Sequence, residues 1–292
     1  MAPRADGPAP AAVVEVAAPA KLTVSLRVTG VRGDGYHLLD AEMVTLDLSD
    51  TLVIDPGGGD SLEVVAAWPP GAEGWRTLDV GPAGDNLVTR ALAAVARSAA
   101  VRLIKRIPPG AGLGGGSADA AAVLRWADCT DRGVAQRLGA DVPFCLLGGR
   151  ARVTGIGEVV EPLPPESRSY LLVLPPFGVD TAAVYRAWDR RAAAGQVGGR
   201  GRRREASNND LEDAALEVEP RLAGWRRALE EATGRRAHLA GSGSTWFVEG
   251  TAAELGVDVG AGLSSEGQHA PLVATRTSPG ADRGAAVTFG TG

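Results

Sequence analysis

Alternation of apolar and polar positions governs the first part of the chain. Val13 to Val16, and then Leu22, Val24, Leu26 and Val28 with Thr23, Ser25 and Arg27 between them, predict two strands. Residues 42–54 alternate again and, with Asp47, Ser49 and Asp50 as breaks, predict two more. Residues 55–84, rich in Gly, Pro and Trp, predict a loop or an irregular hairpin. At 85–97 the spacing changes to that of a helix, capped by Asp85 or Asn86, with Leu87, Leu92 and Val95 apolar. A β-branched run at 101–107 predicts a strand, and the alanine-rich residues 118–125 predict a helix with Ser117 as its N-cap. A short helix at 131–138 stops on Gly139.

Strands are expected at 150–160 around Gly155 and Gly157. Pro162, Pro164 and Pro165 mark a boundary, dividing the chain into residues 1–161 and 162–292. Beyond it the pattern predicts a buried strand at 170–174 and a helix from Thr181, its N-cap, to Trp188. Further helices begin at 209–212 and run over 219–233. A glycine turn at 237–248 feeds a strand, and a last strand lies at 271–276 before a loose tail after Pro279.

Composition narrows the class. With 292 residues, 45% hydrophobic and 22% charged, the chain is long and apolar enough for one large or two ordinary domains with real cores. A net charge of −5 argues against nucleic acid or an anionic membrane as partner. Two cysteines, Cys129 and Cys145, offer neither a disulfide framework nor zinc spacing. The opening residues are broken by Pro and Asp, and no apolar run reaches membrane-spanning length, so a cytoplasmic protein is expected. The Arg-rich stretch 190–205 lacks aromatics and reads as a solvated loop. Only Lys21 and Lys105 among the 30 basic residues are lysines. In a chain that otherwise uses arginine, a lysine points to a need for a compact ammonium.

The chemistry concentrates between the 101–107 strand and the helix after it, in Pro108, Pro109, Gly110, Ala111, Gly112, Leu113, Gly114, Gly115, Gly116, Ser117 and Ala118. Glycines there let backbone approach a ligand, and N–H groups at a helix N-terminus attract an anion. Gly110, Gly112 and Gly115 satisfy G-x-G-x-x-G, yet no second strand ends in an acid about 20 residues on, as a dinucleotide site needs. The lysine of a Walker loop is missing too. A plain flexible turn is the alternative, but five glycines in seven residues are a costly way to make one, which favours a nucleotide phosphate cradle of a third kind. Of the other polar residues, Lys21 reads as a strand-end lysine or a functional one. Asp141, between a helix stop and Pro143, reads on spacing as a turn carboxylate. Tyr36 and His37 close a glycine-studded turn, suited to an ordinary hairpin or to a ligand face.

Three pieces in this order resemble the GHMP kinases: Pro19-Ala20-Lys21, the loop from Pro108 to Ser117, and the turn Gly241-Ser242-Gly243-Ser244. The resemblance runs from about residue 15 to about residue 280 and implies an α+β fold of two domains. One is a mixed-sheet N-terminal ATP-binding domain with helices; the other is a smaller ferredoxin-like C-terminal domain. It also implies ATP-dependent phosphorylation of an alcohol, with magnesium bridging the ATP phosphates in the loop 108–118. Details such as Arg32 to His37 and Leu138 to Phe144 narrow the implied substrate to the methylerythritol part of a cytidine diphosphate conjugate. Mevalonate, homoserine, a sugar, or nucleotide binding without transfer remain alternatives. By the same resemblance Asp141 accepts or orients the attacking hydroxyl's proton, and Lys21 steadies the hydroxyl and the transferring phosphoryl group. Tyr36, His37 and Tyr185 bind the cytidine end, with Thr181 and Asp34 nearby. A monomer or weak homodimer is implied. Thr23 stands where the family commonly has Asn, and the stretch 118–140 looks short by about one helix's worth of connection.

Overall fold

The computed structural model describes residues 12–69, 72, 75, 86–197 and 207–279, together with the backbone of 287–288. Two long antiparallel strands, β1 (Val14–Val31) and β2 (His37–Asp55), form the spine of the first sheet. The pattern had divided each into two. Asp47, Ser49 and Asp50 lie inside β2 instead of breaking it, because their side chains find partners: Asp47 accepts from Thr275 and Arg276, and Asp50 accepts backbone N–H groups. Register shifts interrupt β1 between Pro19 and Lys21 and between Thr23 and Ser25, which also breaks its alternation.

β3 (Ser61–Ala66), in the stretch expected to be loop, pairs parallel to β4 (Ala100–Lys105), and β4 pairs antiparallel to β2. Helix α1 (Leu87–Ala94) lies between them in sequence, with Asn86 as its cap; Asp85 falls outside the described residues. Helices α2 (Gly115–Trp126), α3 (Arg132–Leu138) and α4 (Val142–Leu147) follow β4. Strands β5 (Arg150–Gly155) and β6 (Val159–Pro162) extend the sheet from β2. Helix α2 packs closely because half of its buried residues are alanines, with Ala118 and Ala120 to Ala122 at 1% exposure or less.

The second sheet is built from β7 (Ser169–Val173), β8 (His238–Leu239), β9 (Trp246–Glu249) and β12 (Leu272–Arg276). Its order is β12-β7-β9-β8, antiparallel throughout. Around them run α5 (Thr181–Ala193), α6 (Glu212–Val218), α7 (Leu222–Thr233) and α8 (Ala252–Leu255), with a hairpin of β10 (Leu263–Ser265) and β11 (Gln268–Ala270). A final backbone strand, β13 (Val287–Thr288), returns to pair with β1.

An apolar core joins the two sheets. Leu22, Val44 and Leu46 of the first pack with Tyr170, Leu172 and Phe247 of the second, and Ile107 and Leu113 close the cluster from the glycine loop. Each such side chain stabilises the contact by roughly 1.5–3 kcal/mol. The glycine loop is thereby held between two sheets. No helix among the described residues is long and apolar enough to cross a membrane.

Candidate active site

Lys21 stands at the first register shift of β1, in mid-strand, and not near a strand start as the alternation suggested. A shift of this kind re-aims a side chain, and here it also frees the Lys21 N–H from the ladder. That N–H donates to the Leu113 carbonyl at 3.0 Å, which ties the glycine loop to β1. The side chain is 7% exposed; its Nζ lies 3.3 Å from Asp141 Oδ2 and donates to Thr23 Oγ1 at 3.2 Å. The shorter hydroxyl of Thr23 therefore still reaches the ammonium. Asp141 occupies the N-cap position of α4, a helix that the sequence pattern did not predict, but its carboxylate makes no capping bond. The carboxylate is left facing Lys21.

The glycine loop and the start of α2 form one wall of a cleft of about 830 Å³. Helix α2 begins at Gly115 with Gly114 as N-cap, so Ser117 lies inside the first turn and is not the cap. Gly114 is left-handed, with φ 68°, and a Cβ on it would fall 2.7 Å from Lys21 Cγ. A Cβ on Gly112 would fall 2.2 Å from the Ala240 carbonyl oxygen. These glycines are needed by the protein's own packing as well as by any ligand. The first-turn N–H groups of α2, at Gly115, Gly116 and Ser117, have no acceptor within the helix and suit an anion.

Pro108, Pro109, Gly110, Ala111, Gly112 and residues 114–117 line the cleft. Leu113 and Ala118, also expected to hold nucleotide, do not line it. Leu113 turns into the core between the sheets, and Ala118 is buried with its N–H committed to the Gly114 carbonyl. The second glycine turn docks on the loop through backbone: Ser244 N–H donates to Gly110 O and Thr245 N–H to Ala111 O.

The other end of the cleft is aromatic. His37 stacks on Tyr185 with ring centroids 4.5 Å apart and meets Trp188 edge-on. Burial, with Asp141 adding, pushes the Tyr185 phenol above its ordinary pKa, so the ring is a neutral face. Tyr36 lines the same end and is 59% exposed. Thr181 was expected to cap α5, but Asp180 does so, and the Thr181 hydroxyl bonds Ser242 at 2.8 Å. Asp34 is taken up by Arg32, whose guanidinium holds its carboxyl below the usual range.

Sequence reasoning missed three carboxylates. Asp189 accepts from His37 Nε2 at 2.7 Å and so orients the ring; nothing in its surroundings along the chain marks it. Asp50 and Asp119 surround Lys105 under the loop. The signal available for them was the rarity of lysine and a carboxylate set among inward alanines.

A loop that offers helix N–H groups, a Lys–Asp pair beside it and an aromatic end opposite define a small-molecule kinase. Residues 86–149 match the model of the GHMP kinases N terminal domain. The chain is 41% identical over 249 residues to the 4-diphosphocytidyl-2-C-methyl-D-erythritol kinase of Paracoccus denitrificans, covering 79% of this chain and 85% of that protein. It is 39% identical over 263 residues to the enzyme of the same name from Pelotomaculum thermopropionicum, with 80% and 88% covered. A crystal structure of 4-(cytidine 5'-diphospho)-2C-methyl-D-erythritol kinase superposes with a TM-score of 0.63 at 31% identity, covering 90% of this chain and 99% of that one. A homoserine kinase from Cytophaga hutchinsonii, at 16% identity and a TM-score of 0.57, shares the fold. The chain belongs to the GHMP kinase family and is an ATP-dependent kinase, and within that family its relatives are the 4-diphosphocytidyl-2-C-methyl-D-erythritol kinases.

Proposed function

We propose that this protein transfers the γ-phosphoryl group of ATP to a hydroxyl of 4-diphosphocytidyl-2-C-methyl-D-erythritol. The observation that carries the reading is the Lys21–Asp141 pair, 3.3 Å apart, between the glycine loop and the His37–Tyr185 stack in one cleft. The triphosphate lies along residues 108–117, against the first-turn N–H groups of α2. The cytosine ring is held by Tyr36, His37 and Tyr185, with Thr181 beside them. The substrate hydroxyl attacks the γ-phosphorus, its proton passes to Asp141, and the bond to the β-phosphate oxygen breaks to release ADP. Lys21 counters the charge that grows on the transferring oxygens.

Magnesium, when bound with ATP, would add further neutralisation of the phosphate charge. Among the described residues no three His, Cys, Asp or Glu side chains converge to hold a metal, and magnesium at such sites needs only one or two protein ligands beside phosphate oxygens. On this reading the protein works in the cytoplasm on a diffusible substrate. ADP release from purified protein with ATP, magnesium and the cytidyl substrate tests it, with mevalonate, homoserine and galactose run alongside. Turnover with the cytidyl substrate alone is expected. Turnover with one of the other alcohols, or with none, would overturn the substrate assignment.

A further inference from the structure

Behind the phosphate loop lies a buried charge cluster to which phosphoryl transfer gives no task. Pairing of Thr51 with Ile104 sets Asp50 of β2 against Lys105 of β4. Lys105, 5% exposed, donates to Asp50 and, at 2.7 Å, to Asp119 Oδ2 of α2. Asp50 also accepts the N–H groups of Arg106 and Ile107, the latter at 2.8 Å. Among the described residues Lys105 is the one donor to Asp119, whose Oδ1 is buried without any hydrogen bond. Asp119 follows Gly115 by one helical turn on the same face, and a Cβ on Gly115 would lie 3.0 Å from Lys105 Nζ. The cluster therefore backs directly onto the turn that offers its N–H groups to phosphate.

Two carboxylates and one ammonium leave a surplus negative charge when all are ionised, and burial makes that surplus costly. A proton relieves it, and it settles on the carboxylate with fewer donors, which is Asp119. Burial, opposed by Lys105 and reinforced by Asp50, pushes Asp119 up to about 7. Burial works against the charge of Lys105, but Asp119 and Asp50 outweigh it and hold the ammonium above the ordinary lysine value. From α4 the Cys145 thiol, pushed up to about 12 chiefly by burial, stays neutral beside them. Lys21 of β1 is turned toward Asp141.

We propose that Asp119 is a positioning residue for the nucleotide, and that the loop binds polyphosphate together with a proton on Asp119. The inference rests on reading the loop as the ATP cradle. An anion arriving in front of α2 raises the proton affinity of a carboxylate behind it, and by reciprocity the protonated carboxylate raises affinity for the anion. The sign follows: nucleotide binds tightest where Asp119 is neutral and more weakly as rising pH ionises it.

Calorimetric titration with ADP, comparing the native chain with Asp119→Asn from about pH 6 to about pH 8, reads this linkage. The titration of ADP itself is common to both proteins and cancels in the comparison. The expected result is that native affinity falls about three- to tenfold relative to Asp119→Asn over that interval. A purely structural role would lower affinity by the same factor at every pH, and parallel profiles would overturn the proposal. Should Asp119→Asn fail to fold, the native protein decides alone. Heats of binding in two buffers of different ionisation enthalpy must reveal proton uptake beyond that of ADP, and its absence would overturn the linkage. No ADP binding at any pH would overturn the nucleotide reading of the loop itself, a separate failure.

Discussion

Lys21 and Lys105 are equally hidden, each 5% exposed, yet their surroundings differ in kind. Lys21 meets one carboxylate, Asp141, whose side chain is 31% exposed, and one hydroxyl, that of Thr23. Lys105 meets two carboxylates whose side chains are 0% and 3% exposed. The first pair opens onto a cleft, where one face of the ammonium and most of the carboxylate's acceptor capacity are left for a ligand. The second is closed off from the cleft, and its lysine is engaged by both carboxylates. Burial of a lysine alone therefore says little about its task; what decides is whether its partners face a cleft that a ligand can enter. This distinction also explains why the two sites respond differently to change.

The sharpest way to break the comparison is to remove each lysine in turn. Lys21→Met and Asp141→Asn should each lower turnover by about 10²–10⁴-fold, the range general-base and charge-stabilising groups supply, while melting temperature and ADP binding hold near native. Lys105→Met should act on the fold instead. It strands two buried carboxylates and should cost about 3–5 kcal/mol in denaturant unfolding. If Lys21→Met unfolds the protein and Lys105→Met merely slows it, the two roles have been assigned the wrong way round.

How much of this was legible follows from what each feature depends on. The strand–glycine–helix unit was legible because β-branched residues, glycines and alanines follow one another in order, and the three motifs pointed to the family. Gly114 as cap was not, since a left-handed glycine before a helix reads as loop, while Ser117 is a good cap by type. The length of β1 and β2 was hidden by register shifts and by Asp47 and Asp50, polar residues that look like breaks until their partners are known. Lys21 and Asp141 are each unremarkable in their local pattern. Their 3.3 Å contact is made by the packing of α4 against β1, a long-range event that no local periodicity contains. Asp189 was invisible for the same reason, because only the approach of α5 to the start of β2 brings it to His37.

A smaller effect is expected at the aromatic end, which lies apart from both lysines. Tyr185→Ala removes the ring on which His37 stacks and on which the base is proposed to lie. Base–aromatic stacking is worth about 1–3 kcal/mol, so KM for the cytidyl substrate should rise about tenfold or more with turnover at saturation changed less. An equal loss with every nucleotide concentration and no change in substrate KM would place the base elsewhere.

Smallest of all should be Thr23→Val, and it bears most directly on what keeps Lys21 poised. The change preserves shape and β-branching in the middle of β1, so the strand and its register shift are retained. It removes the 3.2 Å acceptor for Lys21 Nζ and leaves Asp141 as the side-chain partner named for that ammonium. One hydrogen bond to a charged group is worth about 1.5–3 kcal/mol when lost, but an ammonium can turn toward Asp141 or the phosphate, which returns part of it. Turnover should therefore fall by about five- to tenfold, with ADP affinity and melting temperature near native. Thr23→Asn should keep an acceptor within reach and stay closer to the native rate. If Thr23→Val matched the native rate and Thr23→Asn did not, the hydroxyl would be a packing feature, and the poise of Lys21 would rest on Asp141 alone.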